Sequence, residues 1–383
     1  MLIEFPLFVR SGPHSKAGFY QNESRLIRYI TLHVRVRLRD LVVFSARLET
    51  ESKMARRNVS DATSKNLKRQ FLEWCGQKQS KTFSLLIIGK TGVGKSSLVN
   101  ALVGTQAAKE GPDKGPCTYE VTSYDVDIEG VKIRVWDTPG LRDDDDDEGG
   151  TGNDEKYLAK MISKITEELD LVIFCLKMND TRFLRDDKET FRIVTTHFGE
   201  ELWKNAVIAL TFANTVGDPA GGDREWYFLQ ELARWKTAIH SFLNEKLKLD
   251  PELVQSLPIV PTGYHRPLSV LPNGGNWLSK FWIACYYAAR NSAAFSLYRA
   301  NKARLRFLGS ELNVAAIFGG SEVAPISPFA DNYVMPAIDL DEEQQESFWS
   351  KTWEAFKEYS LSVGVVLGVL STVGIAILKA SAK

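Results

Sequence analysis

The feature that most constrains this chain is a glycine-rich segment, Gly89–Ser96 (GKTGVGKS), which fits the pattern G-x-x-x-x-G-K-S in full. It follows a short apolar run, Phe83–Ile88, and precedes a helical pattern over Ser96–Val103. A loop of this kind between a buried strand and a helix lets backbone N–H groups and the helix N-terminus converge on phosphates. Lys95 is therefore predicted to reach the β- and γ-phosphates of a nucleotide, and the Ser96 hydroxyl to ligate Mg²⁺.

Apolar runs alternate with helical stretches over residues 80–300. This alternation predicts an α/β fold, a three-layer P-loop nucleotide-binding domain with a mostly parallel sheet. Glu129-Gly130 separates two strand-like segments and predicts a β-hairpin. Further strands are predicted at Leu171–Leu176, Ala206–Phe212 and Leu257–Pro261, and helices at Lys188–Phe198 and Trp226–Leu249.

Composition sets the class of protein. An apolar fraction of 44% and a charged fraction of 25% are typical of a globular chain. The formal net charge is +0, which gives no argument for a nucleic-acid partner, and none is expected. The 4 cysteines show neither close pairing nor metal-ligand spacing, and no signal-peptide pattern is present, so a reducing compartment is expected.

A second motif, Asp137-Thr-Pro-Gly140, follows the apolar strand pattern Val131–Trp136. An aspartate at a strand end can hold Mg²⁺ through water, and the Gly140 N–H can contact a γ-phosphate. A threonine between the two motifs would complete the metal shell. Thr118 is preferred to Thr122 by its position in a loop before a strand.

Through these motifs the chain resembles the AIG-type GTPases. The stretches that carry the resemblance are GKTGVGKSS, DTPGL, and Phe198-Gly-Glu-Glu-Leu-Trp203 leading into Ala209–Asn214 (ALTFAN). That family includes immunity-associated GTPases and the GTPase receptors of chloroplast protein import, and it is related to septins. The resemblance covers roughly residues 80–300 and implies GTP/GDP and Mg²⁺ as cofactors. It also implies homodimers that pair face to face across the nucleotide.

The base-recognition motif departs from the usual Asn/Thr-Lys-x-Asp pattern, because Thr211–Asn214 reads TFAN. Phe212 is predicted to stack on the base, and Asn214 to offer its carbonyl, while Thr262 and Gly263 line a backbone loop beneath the base. Losing the charged acceptor weakens guanine discrimination by about 1.5–3 kcal/mol. Guanine selection follows from the resemblance, and an ATP-using P-loop enzyme is the alternative.

The residue after Gly140 is Leu141, where many GTPases place a glutamine that orients the attacking water. Slow intrinsic hydrolysis is therefore expected, with Lys95 and Thr118 as catalytic residues and acceleration by homodimerisation or a partner. A nucleotide-bound scaffold that hydrolyses negligibly is the alternative. The acidic run Asp143–Glu148 is interpreted as a solvated loop, since it lacks the alternating spacing of a calcium loop.

The two ends of the chain are expected to lie outside the nucleotide-binding domain. Residues 1–79 are interpreted as a poorly defined extension, with Met54 as an alternative start or an arginine-rich transit peptide as another interpretation. Residues 301–346 are interpreted as a linker because of their glycines and prolines. Residues 347–383 are predicted to form an amphipathic helix followed by an apolar tail.

Within that tail, residues 361–378 carry no charge and would extend about 27 Å as a helix. A C-terminal membrane anchor is predicted, which several relatives also carry. It would place the protein on the cytoplasmic face of an intracellular membrane. The alternative is a helix packed back on the domain, which would leave the protein cytoplasmic. The predicted nucleotide contacts are Gly89, Lys90, Thr91, Gly92, Val93, Gly94, Lys95, Ser96, Ser97, Asp137, Gly140, Thr211, Phe212, Asn214, Thr262 and Gly263, and the predicted metal ligands are Ser96, Thr118 and Asp137.

Overall fold

A computed structural model describes a large part of the chain. The described residues are 66–67, 69–71, 73–74, 81–104, 122–128, 130–137, 159, 162–180, 182–217, 219–263, 270–308, 336–362 and 375. Several of the predictions fall elsewhere. Thr118, Gly140, Leu141, the acidic run Asp143–Glu148 and most of the predicted anchor lie outside the described residues.

Eight strands and seven α-helices are named here, all within the described residues. The strands are β1 (Phe83–Ile88), β2 (Thr122–Ile128), β3 (Val131–Asp137), β4 (Leu171–Lys177), β5 (Ala206–Thr211), β6 (Ile259–Pro261), β7 (Leu305–Phe307) and β8 (Ile338–Leu340). The helices are α1 (Lys95–Val103), α2 (Arg185–Phe198), α3 (Arg224–Ser241), α4 (Pro251–Ser256), α5 (Trp277–Ala288), α6 (Asn291–Asn301) and α7 (Glu342–Ser362). Short 3₁₀ turns span Glu200–Asn205 and Ala213–Thr215, and a π turn, Phe242–Lys246, follows α3.

A six-stranded sheet with the order β2-β3-β1-β4-β5-β6 forms the centre of the domain. Only β2 runs antiparallel within it, paired to β3 through the predicted hairpin, where Gly130 has a φ of 76°. The mostly parallel α/β fold is thus confirmed. Because β1 pairs in parallel with β3, with Ile87 opposite Asp137, the two phosphate motifs meet at the same sheet edge.

Both faces of the sheet are covered by helices, which explains why β1 is buried along its whole length. Alternate side chains of β1, β3 and β4 pack on one face with α1, α5, α6 and α7. The remaining side chains of β1, β4 and β5 pack on the other face with α2, α3 and α4. This arrangement is the predicted three-layer architecture.

The predicted linker 301–346 needs correction at its described residues. Leu305–Phe307 and Ile338–Leu340 form a parallel two-stranded ribbon whose apolar side chains are buried. Helix α7 begins at Glu342 and not at residue 347, and Trp349, Trp353 and Phe356 are each 0% exposed. Each strand is only 3 residues long, so no sequence period marks it among the prolines and glycines. The hydrophobic core therefore continues past residue 300.

The predicted extension 1–79 also needs correction where it is described. Residues 66–67, 69–71 and 73–74 are helical, and Leu67, Phe71 and Trp74 are buried. The Trp74 ring centroid lies 4.4 Å from that of Phe295 on α6, and the Phe71 centroid lies 5.4 Å from that of Phe356 on α7. These residues belong to the core of the domain, because burying large aromatic side chains there outweighs the local polar pattern.

Across the described ranges, which leave out 363–374 and 376–383, the helices are all too short or too polar for a membrane span.

Candidate functional site

The glycine-rich loop joins β1 to α1 with the backbone that its glycines permit. Gly92 and Gly94 have φ angles of 75° and 88°, in the left-handed region that favours glycine. A methyl group on Gly89 would lie 2.7 Å from the Cys175 carbonyl oxygen, so this position needs glycine for space. The buried Val93 side chain fixes the loop. Thr91 and Gly92 are exposed, so the tip of the loop is open to a ligand.

Lys95 lies at the first residue of α1 and turns its ammonium into the loop. Its Nζ donates to the carbonyl oxygens of Gly89 at 2.9 Å and Lys90 at 3.0 Å. Burial lowers the pKa of Lys95, while the nearby Asp137 and Cys175 raise it. The ammonium is thus already positioned within the loop, held by two hydrogen bonds to backbone carbonyl oxygens.

Asp137 ends β3 beside the loop, as predicted. Burial raises the pKa of Asp137, and the Lys95 charge lowers it. Its Oδ1 is buried and has no hydrogen-bond partner within the described part of the protein. A buried carboxylate oxygen without a donor fits a cation, and the Ser96 hydroxyl on α1 adds a second oxygen of the type that Mg²⁺ prefers. The residues present therefore fit a magnesium site.

One residue near this carboxylate, Tyr124, was not predicted from the sequence. Tyr124 of β2 lies on the same sheet face as Asp137, and its hydroxyl is buried without a hydrogen-bond partner in the described structure. Burial raises the pKa of Tyr124, and the Asp137 carboxylate raises it further. The alternation along β2 and β3 was the signal that could have paired the two side chains.

On the opposite face, Glu167 fixes the end of β3. One of its carboxylate oxygens accepts from Trp136 Nε1 at 2.6 Å and Ser84 Oγ at 2.8 Å, and the other accepts from Arg134 Nη1 at 3.2 Å. The residue directly before Asp137 is therefore anchored to both β1 and the segment that precedes β4.

Lys90, predicted as a nucleotide contact, directs its buried side chain towards the start of α2. Its Nζ lies 3.2 Å from Asp186 Oδ2. Burial raises the pKa of the neighbouring Asp187 to about 6, against the lowering effects of Lys90 and of a hydrogen bond from the Leu184 N–H. Lys90 thus links the loop to α2 with its side chain, while its carbonyl holds Lys95.

The predicted base-recognition residues gather beside the loop. Phe212 adopts a left-handed backbone with a φ of 58°, and a methyl group on Gly94 would lie 4.0 Å from its ring. The Lys177 ammonium, at the end of β4, lies 5.2 Å from the Phe212 ring centroid. Sequence reasoning missed Lys177, although a lysine at the carboxyl end of a buried parallel strand is a usable signal. The Phe212 ring is thus held beside the phosphate loop, within reach of Lys177.

Backbone contacts fix the rest of this corner. The Ala213 N–H donates to the Thr262 carbonyl at 2.9 Å, and Thr211 Oγ1 donates to the Leu176 carbonyl at 3.1 Å. The Asn214 carbonyl accepts from Arg224, and the Asn214 side chain is buried. Trp277 packs so closely on Gly263 that a methyl group there would lie 2.4 Å from its Nε1. The structure therefore brings Thr211, Phe212, Asn214, Thr262 and Gly263 to one corner of the sheet edge.

This arrangement agrees with a family match. Residues 83–234 match the AIG1 family, and the match includes the loop, Asp137 and Thr211–Asn214. The chain carries an AIG1 family domain.

Curated proteins similar to this chain include translocases of chloroplasts and a GTP-binding protein. It is 30% identical over 211 residues to the translocase of chloroplast 34 homolog of Chlamydomonas reinhardtii, covering 52% of this chain and 51% of that protein. It is 27% identical over 233 residues to translocase of chloroplast 159 of Arabidopsis thaliana, covering 57% of this chain and 15% of the relative. GTP-binding protein A of Dictyostelium discoideum is 31% identical over 133 residues, 35% of this chain and 28% of that one. The chain thus matches about half or less of each relative's length.

Among solved structures, Toc33 from Arabidopsis thaliana in complex with GDP and Mg²⁺ has a TM-score of 0.44 and 20% identity to this chain. The likeness covers 65% of this chain and 96% of Toc33. At that TM-score the likeness adds nothing to the topology described above.

Proposed function

We propose that this protein binds GTP and GDP with Mg²⁺ at the Gly89–Ser96 loop and hydrolyses GTP slowly as a switch. The observation that carries the proposal is the pairing of the complete loop with Asp137, whose buried Oδ1 has no hydrogen-bond partner among the described residues and whose charge interacts with Lys95. A relative named GTP-binding protein A and a structure of Toc33 with GDP and Mg²⁺ support the choice of nucleotide.

Each part of the site has a task in this proposal. Backbone N–H groups of the loop and the start of α1 bind the phosphates, and Lys95 exchanges its carbonyl contacts for phosphate oxygens. Ser96, Asp137 and Thr118 hold Mg²⁺, which neutralises the charge that develops on the phosphates. Phe212 stacks on the base, Asn214 faces its polar edge, and Gly140 contacts the γ-phosphate.

Hydrolysis is proposed to be slow because Leu141 cannot orient water, and to be accelerated by pairing of two copies across the nucleotide. Dimerisation is important for the GTPase activity of the chloroplast translocon components atToc33 and psToc159, which supports this part. Translocases of chloroplasts among the relatives support a role at a membrane surface. The apolar residues 361–378 are proposed as the anchor, with the domain on the cytoplasmic face of an intracellular membrane.

A scaffold that binds nucleotide and hydrolyses it negligibly is the second candidate, favoured by Leu141 and by the TFAN motif. The two functions predict different phosphate release. Multiple-turnover release that rises with protein concentration supports the dimerisation-stimulated switch, and release no faster than that of Lys95→Ala supports the scaffold.

The experiment that tests nucleotide binding is a titration of the full chain with fluorescent GTP, GDP and ATP. Lys95→Ala removes the loop ammonium, and the exposed Lys236→Ala on α3 serves as the matched control. Tight guanine-nucleotide binding that persists in Lys236→Ala and is lost in Lys95→Ala is expected. Equal affinity for ATP would remove guanine selection, and no binding at all would overturn the proposal.

A further inference from the structure

Two buried oxygen atoms on one face of the β2–β3 hairpin have no hydrogen-bond partner among the described residues. They are the Tyr124 hydroxyl oxygen on β2 and Asp137 Oδ1 on β3. One is a hydrogen-bond donor as well as an acceptor, and the other only accepts when ionised. Folded proteins seldom leave such a donor and acceptor buried and unpaired, so this pair needs an explanation.

The strand register places the two side chains on one face of the hairpin. Tyr124 lies opposite Val135 and Thr122 lies opposite Asp137, so Tyr124 and Asp137 are diagonal neighbours across the ladder. Diagonal neighbours in an antiparallel pair are within reach of a long side chain such as tyrosine.

The Lys95 ammonium does not donate a hydrogen bond to Asp137 Oδ1. Lys95 lies close enough to act on the charge of Asp137, yet its Nζ donates to the Gly89 and Lys90 carbonyls. Glu167 and Arg134 interact on the opposite face of β3. Among the described side chains of β2 and β3, the Tyr124 hydroxyl is thus the buried donor without a partner on the face that carries Asp137.

We propose that Tyr124 is a positioning residue for the magnesium site, whose hydroxyl donates to the Asp137 carboxylate when Mg²⁺ is bound. The inference rests on the proposed function and adds a residue to its metal site. A neutral phenol suits this task, because it orients the carboxylate without adding a positive charge that would compete with the cation. Groups that orient metal ligands in this way typically change metal affinity about 10–100-fold when removed.

Tyr124→Phe tests the proposal, since it removes one oxygen atom and keeps the ring. The measurement is the Mg²⁺ concentration that half-maximally slows release of a fluorescent GDP analogue from the full chain. We expect this concentration to rise about 10-fold in the variant. Release in excess chelator should stay within about 2-fold of the unsubstituted protein, since the role requires the metal. Thermal unfolding of the nucleotide-free variant should be unchanged or shifted upwards, because an unpaired buried hydroxyl has been removed.

Tyr286→Phe is the matched control, because the Tyr286 hydroxyl bonds Thr352 Oγ1 at 2.8 Å between α5 and α7, away from the site. It should lower the unfolding temperature and leave the Mg²⁺ dependence unchanged. A double variant tests whether Tyr124 acts through Asp137. If it does, adding Tyr124→Phe to Asp137→Asn causes no further change in the Mg²⁺ dependence.

The outcomes separate the two proposals. An unchanged Mg²⁺ dependence in Tyr124→Phe, or an equal change in the Asp137→Asn background, would overturn the role of Tyr124 while leaving nucleotide binding intact. If the unsubstituted protein binds no guanine nucleotide, or binds it without any Mg²⁺ dependence, the proposed function fails first and the role of Tyr124 fails with it.

Discussion

The sheet edge that carries the phosphate loop and the aromatic core of the domain bury different kinds of side chain. At the edge, Lys95 and Asp137 bring charge into a buried setting where an oxygen remains unpaired. In the core, rings stack, with centroids 5.1 Å apart for Trp282 and Tyr286 and 5.0 Å for Tyr286 and Phe348. The core also leaves indole N–H groups without hydrogen-bond partners in the described structure, as at Trp353, but these groups are uncharged.

This difference shows where the site obtains its stability. Buried charge without full pairing opposes folding, whereas burial of large aromatic side chains is the dominant favourable term. Helix α7 and the helical residues before β1 supply much of that burial, although both lie outside the predicted domain. We infer that α7 and the helical residues before β1 stabilise a site that would be costly to fold by itself.

The largest effect on stability is expected when a buried aromatic side chain of the core is truncated. Trp353→Ala should lower the free energy of unfolding by about 3–5 kcal/mol, since the side chain is 0% exposed. Nucleotide binding should be lost at the temperature at which the variant unfolds, although no site residue is altered. Thermal unfolding with and without GDP measures both. Trp226→Ala, at a position 59% exposed, is the control and should change stability by less than about 0.5 kcal/mol. Equal stability of the two variants would contradict the role assigned to the core.

The second-largest effect is expected when a methyl group is added to the phosphate loop at Gly89. Gly89→Ala should weaken GDP binding about 100-fold, which corresponds to about 2.7 kcal/mol, because the new methyl group forces the loop away from the Cys175 carbonyl. Equilibrium titration with fluorescent GDP measures the change. Gly217→Ala is the matched control, since a methyl group there meets nothing within 4 Å. Binding by Gly89→Ala that equals binding by the control would show that the loop tolerates the displacement.

A smaller effect concerns the buried carboxylate of Asp187. A pKa raised to about 6 means that the folded state binds a proton more tightly than the unfolded state. The contribution of Asp187 to stability is therefore present at low pH and is lost as the pH rises from about 4 to about 6. Asp187→Asn should remove this pH dependence and raise stability at pH 7 by about 1–3 kcal/mol, less any loss of its contact with the Leu184 N–H. Urea unfolding across this pH range is the measurement, and a stability loss at pH 7 would contradict it.

The smallest effect is expected at the base corner. Phe212→Ala should weaken GDP binding about 10-fold, or about 1.4 kcal/mol, because it removes the predicted stacking surface and leaves the phosphate contacts. Phe212→His keeps a flat ring and should restore most of the affinity. Titration of both variants with GDP and ATP shows whether the ring serves the base. An unchanged affinity in Phe212→Ala would remove Phe212 from the site.

The alternating apolar runs and the hairpin at Glu129-Gly130 were sufficient to predict the parallel sheet, and β5 and α2 begin or end within a few residues of the predicted limits. The predicted helix Trp226–Leu249 is shorter, because α3 ends at Ser241 and passes into a π turn. The assignment of residues 301–346 to a linker was wrong at its described residues, because strands of 3 residues carry too little pattern to stand out.

The sequence by itself determined the strand–loop–helix unit that contains Lys95 and Ser96. Its determinants are contiguous, since they are the glycines that the backbone angles require and the apolar residues directly on either side. Only the tertiary structure decided that Lys177 lies over Phe212 and that α7 completes the core. Those contacts join residues far apart in the chain, and they depend on strand order and register, which a local pattern of side chains does not encode.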